Sequence, residues 1–294
     1  MSNFLVVRQG DTERWTLDDP ASRNALSDAM VVALFEACLR AKSDDSLRAV
    51  VLTGAAGAFC AGGSLGSFAS AIGRPLAEGA HDPLIAANRG FGDVLHALTE
   101  LPQLLVVAVD GPAMGGGFGL ACCADLVLAT QRSVFATPEV TLGLPPAQIA
   151  PFVWMRLGDR AARECLLSGR HHSAVEAREL GLVNAVVADG ELEAALADTL
   201  TRHRAAAPGA TAATKRLLRR LHGARPDLRD EAAIAFASAL RGPEAAAGLQ
   251  AFARKQPAPW ADEPPRSAAA RVAAPQGGGS GLGRPGAGSR EGQP

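Results

Sequence analysis

Tyrosine is absent from the 294 residues, so no phenol can serve as acid, base or oxyanion donor. Cysteine is scarce: Cys38, Cys60, Cys122, Cys123 and Cys165 are odd in number and form no CxxC pair. Reduced thiols in a cytoplasmic protein are expected, with neither a zinc site nor a disulfide framework. No apolar run reaches the roughly 18 residues that suggest a membrane span. The opening MSNFLVVRQGDTERW has no basic stretch leading into an apolar one, so no secretory signal is expected. Charge of one sign is lacking too: the net charge of −1 argues against nucleic acid or an anionic membrane as a main partner. Nucleotide signatures are missing, since no GKS or GKT follows a glycine run and no early strand–helix unit carries G-x-G-x-x-G. G-x-S-x-G occurs only from Gly62, where Ser64 would still need a convergent histidine to act as a nucleophile.

What is present is apolar residue, at 48%, with charge at 20%. That composition can bury a sizeable core, in one large domain or two small ones. Residues 4–7 and 14–17 read as short strands joined by a hairpin at Gly10-Asp11. Ser27 is a good N-cap for a helix through about Ala41, with Met30, Leu34 and Ala37 at helical spacing. Residues 47–53 form a buried strand broken by Gly54 to Gly57. Residues 58–65 read as a second strand, a glycine turn and a helix start capped by Ser64. From Gly66 to about Pro83 there is no clean period, which suggests a short helix and a mobile loop. A helix over 84–101 precedes strands at 104–109, 125–129 and 134–136, and 138–151 is largely loop. Helices are expected over 151–157, 159–168, 173–180, 190–206, 209–222, 228–241 and 243–255, with a strand near 182–187. Alternating strands and helices imply an α/β fold with a parallel sheet. From about Pro257, Pro, Gly, Ala and Ser dominate. Such a tail cannot bury enough apolar surface to offset its ordering entropy, so 258–294 is expected to be disordered.

Two glycine turns each follow a strand and open a helix: Ala61-Gly62-Gly63-Ser64 and Gly115-Gly116-Gly117. The first N–H groups of a helix are unpaired donors, and glycine lets another molecule reach them. If the turns converge, one N–H from each could stabilise an enolate or tetrahedral oxyanion, and losing one such donor typically costs about 3 kcal/mol. The plain alternative is that each cluster only permits close packing. Glu139 is the nearest carboxylate downstream with a plausible catalytic context; a solvated surface glutamate is its alternative. His81, His96, His171 and His172 read as exposed, Cys122 and Cys123 as small packing residues, Arg160 and Arg163 as a solvated helix face, and Asp125 as structural.

These residues carry a resemblance. Ser22-Arg23-Asn24-Ala25-Leu26-Ser27, then AVVLTGAAGAFCAGGSL (49–65), VVAVDGPAMGGGFGLACCADLVLAT (106–130), FATPEVTLGL (135–144), the 157–187 segment and the APGATAATK run ending at Lys215 follow one another in order. Together they resemble the crotonase (enoyl-CoA hydratase/isomerase) superfamily, from the first strand to about Trp260. The resemblance implies a ββα spiral core over 1–200 and a C-terminal helical region over 201–257 that packs in homotrimers or dimers of trimers. It implies an acyl-CoA thioester substrate and no cofactor, coenzyme A being part of the substrate. Its oxyanion donors would be Gly63 and Gly116. Asn24, Ala25, Ala61, Gly62, Ser64, Leu65 and Gly66 would line the path of the CoA arm, with Gly115, Gly117 and Gly119 beside the acyl group.

Two departures stand out. Family hydratases carry two glutamates twenty residues apart; here the second is Glu139 and the first is replaced by Gly119, with the register intact. Ser64 stands where the motif usually has Asp. The 144–152 segment, LPPAQIAPF, is similar to that of hydratases acting on branched glutaconyl-CoA thioesters, of the isohexenylglutaconyl-CoA type, rather than to the glycine-rich loop of ordinary hydratases. Three readings follow. One is hydration of a 2-enoyl-CoA, branched or carboxylated, with Glu139 positioning water or delivering the α-proton. The second is 3-enoyl to 2-enoyl isomerisation, which needs one glutamate. The third is a catalytically idle acyl-CoA-binding scaffold.

Overall fold

The computed structural model describes residues 3–77, 79–222 and 227–261, the side chains of Leu65, Ser67, Leu221 and His222 excepted. Along the chain run β1 (Phe4–Gln9), β2 (Thr12–Leu17), α1 (Asp28–Lys42), β3 (Ala49–Gly54), α2 (Leu65–Phe68), α3 (Pro83–Thr99), β4 (Leu104–Val109), β5 (Pro112–Met114) and α4 (Gly116–Cys122). Then come β6 (Leu126–Thr130), β7 (Val134–Ala136), α5 (Ala150–Ser168), β8 (His172–Ser173), α6 (Ala174–Glu179), β9 (Ala185–Val187), α7 (Leu192–His203), α8 (Pro208–His222), α9 (Arg229–Arg241) and α10 (Pro243–Ala253).

The six-stranded sheet has the order β1-β2-β3-β4-β6-β9; only the β1–β2 hairpin is antiparallel. Every residue of β4, LLVVAV, is buried, as expected of a parallel strand covered on both faces. The period of two divides its side chains between two cores. Leu105, Val107 and Val109 join Val50, Leu52 and Val127 under α1 and α3, while Leu104, Val106 and Ala108 join Val51, Leu128 and the α7 residues Leu192 and Leu196. This is the α/β architecture the alternation implied. A second sheet, β5-β7-β8, stands beside the glycine turns.

Local chemistry explains most boundaries. Ser27 accepts from the Met30 N–H and caps α1, and Asp82 accepts from Leu84 at the start of α3. The two helices expected to meet at Gly158 form one run across a break at that glycine, whose φ is 73°. Three expectations need correction. Residues 58–65 make no strand: Cys60 forms a single bridge with Ala113, because Phe59 and Cys60 both donate to the Pro112 carbonyl at a crossing of two chains. Ser64 sits at the N-cap of α2, but its side chain makes no capping bond, and the helix is only four residues long. Residues 138–142 form a 3-10 turn rather than plain loop.

Residues through Pro259 make one compact unit. α7 runs through residue 200, the boundary expected between core and helical region. Lys215 ties α8 to the core by donating to Asp125 Oδ2 at 2.5 Å and to the Gln103 carbonyl at 2.6 Å. Asp125 also accepts from the Leu105 N–H, so its structural reading holds. α9 is pinned to α3 by Arg229–Asp93 and Arg241–Asp82, the latter bidentate at 2.5 and 2.7 Å. Of the second unit, which begins at Trp260, only Trp260 and Ala261 are described; 262–294 of the expected tail lie outside the described residues. Among the described residues no helix is long and apolar enough to cross a membrane.

Candidate active site

The two glycine turns converge. Met114 donates to the Cys60 carbonyl at 2.8 Å and Gly115 donates to the Ala136 carbonyl at 2.8 Å, so β5, the Cys60 segment and β7 run side by side. A Cβ on Gly62 would lie 3.1 Å from the Met114 carbonyl oxygen and 3.7 Å from the Gly116 nitrogen. The carbonyl of Gly62 accepts from Leu26, and Ser64 donates to the Leu26 carbonyl. Gly63 lies between these two bonds, and among the described residues its N–H has no acceptor. The Gly116 N–H, at the mouth of α4, is likewise without an acceptor among them, as the first N–H of a helix must be unless something caps it.

Close packing forces the glycines of the second turn. Gly115 has φ 49° and ψ −113°, and a Cβ there would sit 2.7 Å from Glu139 Oε1. A Cβ on Gly116 would meet Leu26 Cδ1 at 2.7 Å, and one on Gly117 would meet Cys60 Cβ at 2.7 Å. Cys60 therefore joins the turns: its sulfur accepts from Gly62, its carbonyl from Met114, and its side chain packs on Gly117. Burial pushes its thiol up to about 12, which makes it a packing group rather than a nucleophile.

Glu139 stands on the 3-10 turn Pro138–Leu142, after Thr137, whose hydroxyl donates to the Cys165 carbonyl at 2.7 Å. Part of the residue reaches solvent, but Oε2 is buried and has no hydrogen-bond partner among the described residues. Burial raises its pKa from 4.5 to about 7, partly offset by its own backbone N–H. A solvated surface carboxylate is thus ruled out.

Gly119 is buried one turn beyond Gly115. A Cβ there would meet Ile149 Cγ2 at 2.3 Å, so Ile149 fills the space. Around the first turn, Ala61, Gly63 and Gly66 are exposed, Ala25 and Ser64 half-buried, and Gly62, Gly115 and Gly117 buried; the Leu65 side chain lies outside the described residues. Asn24 needs correction as a substrate-binding side chain. It is fully buried, its Oδ1 accepts from Asp19, and its Nδ2 donates to the Ala55 and Ala58 carbonyls. With its hydrogen bonds used up, it holds the loop that presents Ala25. His172 is corrected as well: it is 1% exposed, with its ring between Cys165 Sγ and the Arg170 guanidinium, and desolvation followed by Arg170 lowers its pKa. His81, His96 and His171 are exposed as expected. Cys122 and Cys123 are buried.

The sequence reading missed Ile149, Cys60 and Thr137. Ile149 lies in a segment whose departure from the glycine-rich loop was visible, but no periodicity tells which of its residues folds onto α4. A cavity of about 1270 Å³ among α3, α5, α8 and α9 is not lined by Glu139, Gly63 or Gly116. No group of three or more His, Cys, Asp or Glu among the described residues could hold a metal ion.

The fold is thus an α/β core in which a mostly parallel sheet brings two glycine turns and a buried carboxylate together. The family profile described as enoyl-CoA hydratase/isomerase matches residues 13–263, and the chain belongs to that family. Enoyl-CoA hydratase ACTT6 of Alternaria alternata is 34% identical over 253 residues, covering 85% of this chain and 81% of its own. An enoyl-CoA hydratase/isomerase from Marinobacter aquaeolei superposes with a TM-score of 0.72 at 42% identity, covering 89% of this chain and 100% of its own. Pseudomonas aeruginosa AtuE superposes with a TM-score of 0.71 at 41% identity, over 88% and 99% of the two chains.

Proposed function

We propose that this enzyme adds water to a 2-enoyl-CoA thioester, branched or carboxylated in its acyl part, with Glu139 as its one carboxylate. The observation that carries this is the Glu139 carboxyl: buried, without a partner at Oε2, set against the mouth of α4, and poised at about 7. A group balanced there can both take and give a proton near neutral pH. The thioester oxygen sits between the Gly63 and Gly116 N–H groups. Water attacks C3 and passes a proton to ionised Glu139, while the C2–C3 π electrons move to the thioester oxygen as an enolate. The two N–H groups hold that charge. Glu139 then returns its proton to C2 and the enolate collapses. The product gains one water and Glu139 is regenerated. Coenzyme A belongs to the substrate, and no further cofactor enters. The open residues Ala61, Gly63 and Gly66 support the path of the CoA arm past the first turn. A branched glutaconyl-type acyl group and assembly into trimers are supported by the resemblance of the 144–152 segment and of the family.

One observation favours a second reading. Ile149 seals the place of a second acid, which suits isomerisation, where Glu139 alone removes the C2 proton of a 3-enoyl-CoA and returns it at C4. Incubating 2-enoyl and 3-enoyl thioesters side by side and weighing the products decides between them. A gain of one water supports hydration; an unchanged mass with a shifted double bond supports isomerisation. Absence of turnover across a panel of enoyl-CoA thioesters would point to an acyl-CoA-binding scaffold.

A further inference from the structure

Gly115, the N-cap of α4, and Gly119 lie one turn apart, and the Gly119 N–H donates to the Gly115 carbonyl at 3.0 Å. Gly115 meets Glu139. Gly119 meets Ile149, whose Cγ2 and Cβ would lie 2.3 and 2.9 Å from any Cβ placed there, with Leu95 Cδ2 of α3 at 3.7 Å. Ile149 is 3% exposed. It cannot slide aside cheaply, because its carbonyl accepts from both Phe152 and Val153 at the start of α5. One turn beyond Gly119, Cys122 lines the cavity of about 1270 Å³, and so do Gln148 and Ala150 on either side of Ile149. Gly115, Gly119 and Cys122 thus follow one another from Glu139, past Ile149, to that cavity.

We propose that Ile149 is a specificity-determining residue of this site. It occupies the position next after Gly115 from which a second acid on α4 would face the same space as Glu139. Between Gln148 and Ala150, which line the cavity, Ile149 stands against Gly119. The site works with one carboxylate because hydrocarbon is packed where the other would stand. The proposal rests on Glu139 being the acid/base of the preceding reading.

The test compares wild type, Gly119→Glu, Ile149→Ala and the double variant. Thermal unfolding comes first. Gly119→Glu alone should lower Tm sharply, and Ile149→Ala in the same chain should recover at least half of that loss, since residues in contact couple. Turnover comes second, on 2-enoyl-CoA thioesters of increasing bulk at C3. Ile149→Ala should move the ratio of kcat/KM for bulky over small substrates upward by about tenfold, the scale of a methylene-sized change in an apolar pocket. Ile149→Val serves the same comparison if the alanine variant does not fold. The double variant should gain a second ionisation in its pH profile where wild type shows one. No recovery of Tm in the double variant, or an unchanged preference for bulk, overturns the proposal. If wild type turns over no enoyl-CoA, the reading of function fails, while the unfolding cycle still decides whether Ile149 holds the Gly119 position.

Discussion

The two glycine turns offer the same group, one backbone N–H, from opposite settings. Ala61, Gly63 and Gly66 of the first are exposed, and a Cβ on Gly63 would meet nothing within 4 Å. In the second, every residue of α4 is buried, and a Cβ at Gly115, Gly116, Gly117 or Gly119 would meet a neighbour closer than 3.0 Å. On the proposed reading, half of the oxyanion pair is therefore built into the core and half is held at the solvent edge. The buried half also holds Glu139 against the mouth of α4. The open half is where the proposed function puts the long CoA arm. Cys60, which touches both, keeps the two in register.

The sharpest break in this comparison is at Glu139, which belongs to the buried half alone. Glu139→Gln keeps size and most polarity but cannot carry a proton, so kcat should fall by roughly 10² to 10⁴, the usual worth of general acid–base catalysis. KM for the thioester should change little, because the proposed path of the CoA arm runs along the other turn. Steady-state kinetics check this, and a variant with unchanged hydration would remove Glu139 from the mechanism.

Packing gives the next largest effect. Gly117→Ala places a Cβ 2.7 Å from Cys60 Cβ and 2.8 Å from the Cys60 carbonyl oxygen. Neither the backbone nor the buried side chain can move without shifting both turns, so a loss of about 1–3 kcal/mol in stability is expected from overpacking. Denaturant unfolding measures it. Activity should fall with stability, because the Cys60 shift also displaces the first turn.

The same carboxyl sets a pH dependence of stability. Its pKa is raised from 4.5 to about 7 in the folded chain, so the folded state holds the Glu139 proton more tightly than the unfolded one. This group's contribution is most favourable below about 4.5 and declines as pH rises through about 7. Glu139→Gln removes the decline. The variant should match wild type near pH 4 and exceed it at pH 8 by at most about 3 kcal/mol, the full worth of the shift. Unfolding of both proteins at the two pH values reads the difference directly. In turnover the sign is reversed: hydration begins with ionised Glu139, so kcat/KM should rise with pH and level off above about 7.

The sequence made some of this legible and hid the rest for physical reasons. Strands such as LLVVAV and caps such as Ser27 declare themselves locally, and the motif register pointed to the two glycine turns and Glu139, which the fold brings together. Asn24 was read as a ligand because it sits in a matching motif. Only the fold shows its amide consumed by Asp19, Ala55 and Ala58. Ile149 was invisible because its role depends on a contact across thirty residues of chain with a position defined by lacking a side chain. His172 was read as exposed at a helix boundary before Ser173, yet pairing of β8 with β7 buries it. Local rules report elements; they do not report which side chain fills which gap.

The smallest effect is expected at the open turn, and it separates the two halves most cleanly. Gly63 has open space around its Cα and a φ outside the left-handed region, so alanine costs neither a clash nor backbone strain. Gly63→Ala should leave stability within about 0.5 kcal/mol of wild type. The N–H that it contributes belongs to the backbone and survives the substitution. The added methyl group projects into the space left for the thioester, so KM should rise while kcat changes less. A calorimetric Tm together with a KM and kcat measurement on one thioester tests both parts. If Gly63→Ala instead lowered Tm as much as Gly117→Ala, the first turn would be as tightly built as the second, and the division between a rigid half and an open half would be lost.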